Sequence, residues 1–257
     1  MIYYYSGTGN TCHVASRLAE QLGERLHFIP QEDAPLPRPG ESVGFLFPIY
    51  SWGVPPIVTE FIERLGADAL SGRYVWGACT CGDEAGIAMR LFNRQIKRLR
   101  GTPAAACFSV IMPNDYVLLP GFDVDTPEVA ERKLAAAPAR INEIAAAVAE
   151  KRTGLFDVHE GSMPALRTRL VFPLFRRWGV NARYWAVSDE CVSCGRCAEV
   201  CPVGNIEMTG GHPLWHENCL SCCACYNVCP MAAISYRTFT RGKGQYFFPK
   251  SRKPRMN

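Results

Sequence analysis

Short apolar runs alternate with helical patterns along the first 150 residues. Apolar side chains dominate five runs, at 2–5, 26–29, 43–47, 74–79 and 104–111. Apolar residues recur at the three- and four-residue spacing of a helix in four segments, at 10–22, 56–65, 86–99 and 127–151. Because parallel strands need crossover helices, this alternation predicts an α/β fold with a parallel sheet covered on both faces.

The predicted sheet has five strands in the order 2-1-3-4-5, one of the two common doubly wound arrangements. In such sheets a ligand binds at the carboxyl ends of the strands, beside strand 1, where the strand order reverses. We therefore expect a binding site in the loops that follow strands 1, 3 and 4.

The alternation stops after residue 152, and the chain then changes character twice. Residues 153–187 are rich in arginine, aromatic residues and proline, and we interpret them as a connector that packs against its neighbours. Residues 188–236 contain most of the cysteines, and residues 237–257 form a basic tail. The expected organisation is therefore an α/β domain at 1–152, the connector, a small cysteine-rich α+β domain and the tail.

Composition and charge limit the classes of protein. Of the 257 residues, 48% are hydrophobic and 20% charged, as in a well-cored globular protein, and no apolar stretch is long enough to cross a bilayer. The chain runs directly into its first strand without room for a signal peptide, so we expect a cytoplasmic protein. The tail carries seven basic and no acidic residues. Because the whole chain has a net charge of +4, subtracting the seven tail charges leaves residues 1–236 with a net charge of −3. We expect this tail to be a solvated end or to steer an acidic partner, and we expect no nucleic-acid partner.

Nine of the thirteen cysteines lie between Cys191 and Cys229. In a cytosolic chain, such clustering indicates metal binding or redox chemistry rather than disulfides. The pattern C-x2-C-x2-C-x3-C-P occurs twice, at 191–202 and 219–230. The alternative to iron–sulfur clusters is zinc, which usually needs only four ligands in pairs with a longer gap between them.

Residues 189–236 closely resemble the two-cluster bacterial ferredoxins, in which the fourth cysteine of each run binds the other cluster. The resemblance implies two 4Fe–4S clusters. Cluster 1 would be held by Cys191, Cys194, Cys197 and Cys229, and cluster 2 by Cys201, Cys219, Cys222 and Cys225. Cys223 lies at a position that the motif leaves open, and we expect it not to be a ligand.

A glycine-rich turn follows the first strand and leads into the first helix: Ser6, Gly7, Thr8, Gly9, Asn10, Thr11. Such a turn binds an anion through backbone N–H groups and the helix N-terminus. It lacks the lysine of a Walker A loop and the third glycine of a dinucleotide fingerprint. Its neutral hydroxyl and amide donors suit a terminal phosphate monoester.

This turn resembles the phosphate loop of flavodoxins, which implies FMN. Two further loops occur where flavodoxins contact the flavin: Pro48, Ile49, Tyr50, Ser51, Trp52 and Gly53 after strand 3, and Thr80, Cys81 and Gly82 after strand 4. Residues 112–116 follow strand 5 near the same mouth. The second loop lacks the tyrosine that usually stacks on the flavin, so one flavin face is expected to be open or covered by the ferredoxin domain.

The order of motifs resembles the fused flavodoxin–ferredoxin proteins of anaerobic bacteria and archaea. It implies an oxygen-sensitive electron carrier that exchanges one-electron steps at the clusters with two-electron steps at the flavin. Two alternatives stay open: an FMN-dependent reductase of a small molecule fed by the clusters, and a flavin-free ferredoxin with an appended docking domain. Redox partner proteins are expected, but the sequence indicates neither their identity nor the oligomeric state.

Overall fold

The computed structural model describes residues 1–31, 33–175, 177 and 181–248. Its main sheet has six parallel strands in the order β2-β1-β3-β4-β5-β6. The strands are β1 Ile2–Tyr4, β2 Leu26–Phe28, β3 Val43–Pro48, β4 Val75–Cys81, β5 Ala106–Ile111 and β6 Leu155–Asp157. The parallel α/β fold and the order of the first five strands are thus confirmed.

Four helices cover the sheet: α1 Asn10–Leu22, α2 Pro56–Leu65, α3 Ala88–Arg100 and α4 Pro127–Ala149. Side chains of α1 and α4 pack on one face of the sheet, and side chains of α2 and α3 pack on the other. The central strand β4 is buried along its whole length. This burial explains why its sequence is a continuous apolar run rather than an alternating one.

The sixth strand is the one departure from the predicted sheet. Leu155–Asp157 extends the sheet beyond β5, in register with Ala106, Cys107 and Phe108. It comes from the segment predicted as connector. A three-residue edge strand with two exposed side chains has too little apolar pattern to be recognised from sequence.

After β6 the chain forms one helix, α5 Pro164–Leu174, and a 3₁₀ turn at Ala182–Tyr184. The cysteine-rich unit then contains α6 Arg196–Glu199, α7 Ala224–Val228, β7 Trp185–Val187, β8 Ile206–Thr209, β9 His212–Trp215 and β10 Ile234–Tyr236. Strand β7 pairs antiparallel with β10, and β8 with β9.

The cysteine-rich unit shares its core with the α/β domain. Val117 and Leu118, which follow β5, are buried among Trp185, Tyr226 and other residues of the cysteine-rich unit. The hydrophobic contact holds the unit over the carboxyl ends of the parallel strands, which is the edge where doubly wound sheets bind ligands.

Candidate functional site

The glycine-rich turn has the geometry of an anion site. It leaves β1 and reaches α1 through Gly9, whose φ of 103° is in the left-handed region that favours glycine. The first N–H groups of a helix have no partner within the helix, and no acidic residue lies in the first turn of α1. Among the residues that the structure describes, none pairs with the buried hydroxyl of Ser6. These donors fit a phosphate monoester.

The loops after β1, β3, β4 and β5 enclose one cavity. Thr11 Oγ1 and Thr80 Oγ1 lie 2.7 Å apart, and Asn10 Nδ2 donates to the Pro113 carbonyl at 2.9 Å. Eleven of the fifteen predicted flavin residues line the cavity: Ser6, Gly7, Thr8, Asn10, Thr11, Pro48, Ile49, Tyr50, Thr80, Cys81 and Gly82. The structure therefore brings three separate loops of the sequence to one place.

The other four predicted flavin residues do not line this cavity. Gly9 provides the turn into α1, and Ser51, Trp52 and Gly53 belong to a tight turn closed by two hydrogen bonds between Tyr50 and Gly53. Ser51 and Trp52 both have positive φ, as the central residues of a type I′ turn do. This turn directs Trp52 away from the cavity, so its contact with the flavin stays a prediction.

Trp52 is held instead by the connector. Its indole N–H donates to Glu84 at 3.0 Å, and its carbonyl accepts from the Thr168 hydroxyl at 2.8 Å. The Arg167 guanidinium lies over its ring, 5.5 Å from the centroid. Phe172 of α5 packs on Gly53. The connector helix therefore covers the loop that was predicted to contact the flavin.

Asp115 is a cavity residue that lies against the phosphate loop. Its carboxylate accepts a hydrogen bond from the Thr8 hydroxyl. Burial raises the pKa of Asp115 to about 6, although the hydrogen bond from Thr8 acts in the opposite direction. At a given pH near 6, a larger fraction of Asp115 is therefore protonated than of an ordinary aspartate. A phosphate bound in the loop competes with Asp115 for the Thr8 hydroxyl.

An aromatic cluster lies between the flavin loops and the connector. The hydroxyls of Tyr5 and Tyr50 are 2.7 Å apart, and burial raises the pKa of both well above the ordinary value. Phe175 packs edge-on against Tyr50 and Tyr116, with ring centroids 6.1 and 6.2 Å apart. Tyr5 and Phe175 were not predicted near the site, whereas Tyr116 belongs to the segment 112–116 that was expected near its mouth; only the fold brings the three rings together.

The two cysteine runs repeat one backbone shape. Positive φ recurs at equivalent positions: 54° and 52° at Ser193 and Ser221, 71° and 59° at Gly195 and Cys223, and 60° and 49° at Gly204 and Ala232. A short helix within each run contains its third cysteine, Cys197 in α6 and Cys225 in α7. This internal repeat is what the duplicated cysteine spacing predicted.

A second cavity is lined by all four cysteines predicted for cluster 2, namely Cys201, Cys219, Cys222 and Cys225. The buried indole N–H groups of Trp185 and Trp215 border it, and neither has an acceptor at hydrogen-bonding geometry among the described residues. The backbone N–H of Asn205 donates to Cys201 Sγ at 3.2 Å. Four thiols and unpaired donors around a cavity fit a 4Fe–4S cluster, whose sulfur atoms accept such hydrogen bonds.

The neighbours of the buried thiols follow the crossed pairing of the two runs. Burial raises the pKa of Cys197, and the nearby thiols that raise it further are Cys194 and Cys229. Burial likewise raises the pKa of Cys225 well above its ordinary value, helped by Cys222, Cys219 and Cys201. The first set joins two cysteines of the first run with Cys229, and the second joins three cysteines of the second run with Cys201, in line with the crossed pairing of ferredoxins.

In the part of the chain that the structure describes, no three His, Cys, Asp or Glu side chains converge as they would around a single metal ion. The thiols of cluster 2 surround a cavity instead, and each thiolate of a 4Fe–4S cluster binds a different iron. Among the same residues, no helix is long and apolar enough to cross a membrane.

The last described residues contradict the expectation of a solvated tail. Phe248 is only 8% exposed, and its backbone N–H donates to the Thr8 carbonyl at 2.8 Å. Lys243, one of the seven tail cations, donates to the carbonyls of Val117 and Leu119. Backbone hydrogen bonds and aromatic contacts fix the position of this segment. The prediction of a solvated tail was based on charge alone and did not include these contacts. Residues 249–257, which hold four of the seven cations, lie outside the described residues.

The comparisons with known proteins match two separate parts of the chain. A family model described as a flavodoxin domain matches residues 1–109, and one described as a 4Fe-4S dicluster domain matches residues 181–234. No curated protein sequence matches the chain.

Three solved structures are similar to parts of the fold. A Fusobacterium nucleatum flavodoxin bound to FMN is 10% identical, with 59% of this chain and 97% of that chain covered and a TM-score of 0.40. Rubredoxin oxygen:oxidoreductase from the anaerobe Desulfovibrio gigas is 17% identical over 58% of this chain and 36% of that one, with a TM-score of 0.35. A flavone reductase is 12% identical over 87% and 86% of the two chains, with a TM-score of 0.35.

The two family matches agree with the fold. The flavodoxin domain implies FMN as its cofactor, and the dicluster domain implies 4Fe–4S clusters. The chain therefore contains a flavodoxin domain followed by a 4Fe–4S dicluster domain, which is the arrangement of the fused flavodoxin–ferredoxin proteins.

Proposed function

We propose that this flavin and iron–sulfur protein carries electrons between partner proteins and FMN through its two clusters. Electrons pass in the order partner, cluster 1, cluster 2 and flavin, or in the reverse order. The clusters exchange single electrons and FMN holds two, so one chain matches one-electron partners to two-electron chemistry. The protein supplies the spacing, the burial and the hydrogen bonds around each cofactor.

The observation that carries this proposal is the shared wall between the two cavities. Cys222 and Cys223 line both the cavity at the phosphate loop and the cavity of the cluster 2 cysteines. The contact at Gly7 is so close that a Cβ there would lie 2.7 Å from the Cys222 carbonyl oxygen. A cluster held by Cys222 therefore lies directly beside a flavin bound at the loop.

Cluster 1 would lie closer to the surface than cluster 2. Cys194 is exposed, whereas every predicted ligand of cluster 2 is buried or partly buried. Val192 next to it is 58% exposed and Met231 is 44% exposed, which gives the surface around cluster 1 an apolar character. An exposed cluster with apolar side chains beside it suits brief contact with another redox protein, so we assign cluster 1 as the point where electrons enter or leave.

The covering of the flavin loops favours a carrier over a small-molecule reductase. Trp52 and Tyr116 each pack edge-on against Phe122, with ring centroids 6.0 and 5.9 Å apart. Phe175 closes the gap between Tyr116 and Tyr50. These ring contacts cover the loops after β3 and β5, which would restrict the access of a small molecule to a flavin bound there.

Anaerobic purification followed by iron, sulfide and flavin quantitation tests the cofactor content. We expect roughly eight iron and eight acid-labile sulfide per chain, as two four-iron clusters require, together with one FMN. Protein with full clusters but no affinity for added FMN would leave the flavin-free ferredoxin. Turnover of a small molecule without a second protein would favour the reductase.

A further inference from the structure

The C-terminal segment from Lys243 to Phe248, here called the C-terminal cover, lies on the outer side of the phosphate loop. The Tyr246 hydroxyl donates to Asn10 Oδ1 at 2.9 Å. The Phe248 N–H donates to the Thr8 carbonyl at 2.8 Å, and the Phe248 ring stacks on His13 with centroids 4.5 Å apart. The cover thus contacts the loop at its middle, at the start of α1 and within the first helical turn.

The other side of the C-terminal cover is fixed to the second cysteine run. Gln245 Nε2 donates to the carbonyls of Tyr226 and Cys229, at 2.5 and 2.9 Å. The Tyr246 N–H donates to Asn227 Oδ1 at 2.8 Å, and Asn227 Nδ2 donates to the Asp115 carbonyl at 3.1 Å. The cover therefore joins α7, the helix that contains the cluster 2 cysteine Cys225, to the loop predicted to bind the flavin phosphate.

The hydrogen bond from Tyr246 fixes the side chain of Asn10. Its Nδ2 donates to the Pro113 carbonyl and its Oδ1 accepts from Tyr246, so both polar atoms of the carboxamide are engaged. Held in this way, Asn10 turns no acceptor oxygen towards an anion in the loop. The backbone N–H groups at the start of α1 are then the groups that a phosphate meets.

We propose that the C-terminal cover is part of the phosphate site, and that Tyr246 positions Asn10 for binding of a flavin phosphate monoester. The inference rests on the FMN binding proposed above. It assigns a cofactor-binding role to residues that follow the ferredoxin domain in sequence, with Tyr246 standing 236 positions after the Asn10 that it supports. Flavins without a phosphate do not need this support.

The expected effect follows from the loss of one hydrogen bond. A buried neutral hydrogen bond contributes about 0.5–1.5 kcal/mol, which corresponds to roughly a twofold to tenfold change in a dissociation constant. Tyr246→Phe removes the hydroxyl and keeps the ring. We therefore expect Tyr246→Phe to weaken FMN binding by about threefold to tenfold and to leave riboflavin binding within about twofold.

Tyr74→Phe provides a matched control. The Tyr74 hydroxyl also donates one hydrogen bond, at 2.7 Å to the Arg152 carbonyl, just before β4 and away from the carboxyl ends of the strands. The measurement is the quenching of flavin fluorescence in a titration of cluster-loaded protein from which the flavin has been removed. FMN and riboflavin are titrated separately, and iron is quantified in each variant.

The proposal predicts a selective loss for FMN in Tyr246→Phe, with unchanged iron and with Tyr74→Phe like the wild type. Equal FMN affinity in both variants and the wild type would overturn the assignment of Tyr246. Equal weakening of FMN and riboflavin would overturn it as well, because the effect would not pass through the phosphate. If the wild-type protein itself takes up no FMN, the proposed function fails together with this inference.

Discussion

The two cysteine runs share a backbone but differ in what surrounds them. Ser193 and Ser221 have φ values of 54° and 52°, and each precedes the second cysteine of its run. Yet Cys194 is exposed, whereas Cys222 packs on Gly7 of the phosphate loop. The local sequence sets the shape of each run, and the rest of the chain sets the role of each cluster.

One position shows the same contrast in detail. Gly195 of the first run and Cys223 of the second both have positive φ, which suits glycine far better than cysteine. The Cys223 side chain is 2% exposed, and burial raises its pKa well above the ordinary value. An inert buried thiol is thus accommodated in a strained position because it fills the interface with the flavodoxin domain.

Loss of a cluster ligand is expected to have the largest effect on cofactor content. It should also distinguish the two cysteine runs by their effect on FMN binding. Cys194→Ser and Cys222→Ser should each reduce iron from roughly eight to roughly four per chain, because each removes one ligand of one cluster. Only Cys222→Ser should also weaken FMN binding, since Cys222 lines the flavin cavity. Iron quantitation and FMN titration of both variants check this difference, and equal FMN affinity in the two would contradict the assigned positions.

Thr8→Asp places a carboxylate in the phosphate loop beside Asp115. A charge about 4 Å from the phosphate costs a few kcal/mol in partly buried surroundings, so FMN binding should weaken by roughly 100-fold. Riboflavin has no phosphate and should lose far less affinity. Fluorescence titration with both flavins measures the difference, and parallel losses would show that the phosphate lies elsewhere.

Gly7→Ala tests the contact between the domains. The added Cβ would lie 2.7 Å from the Cys222 carbonyl oxygen, closer than van der Waals contact allows. Overpacking of this kind costs about 1–3 kcal/mol, so we expect a lower thermal midpoint and weaker FMN binding. Anaerobic thermal denaturation measures the first, and a wild-type midpoint would mean that the second cysteine run does not press on the loop in solution.

Asp115→Asn should change how FMN affinity depends on pH. The folded-state pKa of about 6 lies above the ordinary value of 3.8, mainly because of burial. Asp115 is therefore mostly neutral below about pH 6 and mostly charged above it, so FMN affinity should fall as the pH rises through about 6. Above that pH the charged carboxylate also opposes the phosphate.

The wild-type dissociation constant divided by that of the Asp115→Asn variant isolates this effect, because the phosphate of FMN titrates equally in both proteins. We expect the ratio to rise as the pH passes about 6, because the charged carboxylate of the wild type then opposes the phosphate. A ratio that does not change with pH would show that Asp115 does not face the bound phosphate.

The parts of the molecule that sequence could predict are those whose signal is local. The cysteine spacing and the turn from Ser6 to Thr11 each lie within a few residues, and both have the expected local shapes. The strand order followed from the alternation of β and α patterns, whereas β6 was missed because its three residues, two of them exposed, carry no periodicity.

The parts that sequence could not predict depend on contacts between distant residues. The contacts of Trp52 with Glu84 and Thr168 depend on a turn with two positive φ values, and its predicted contact with the flavin stays a prediction. Tyr246 contacts Asn10 across 236 positions, and no periodic pattern reports such a pair. The basic charge of the tail favoured the prediction of a solvated end. In the structure, the aromatic residues Tyr246 and Phe248 hold the segment against the phosphate loop.

The most direct test of the proposed electron path is anaerobic rapid mixing of the flavin-loaded protein with a reduced ferredoxin too large to reach the flavin. In the wild type we expect FMN to be reduced through the two clusters soon after cluster 1. In Cys222→Ser, cluster 1 should still be reduced rapidly while the flavin stays oxidised. Flavin reduction at the wild-type rate in that variant would contradict the path through cluster 2.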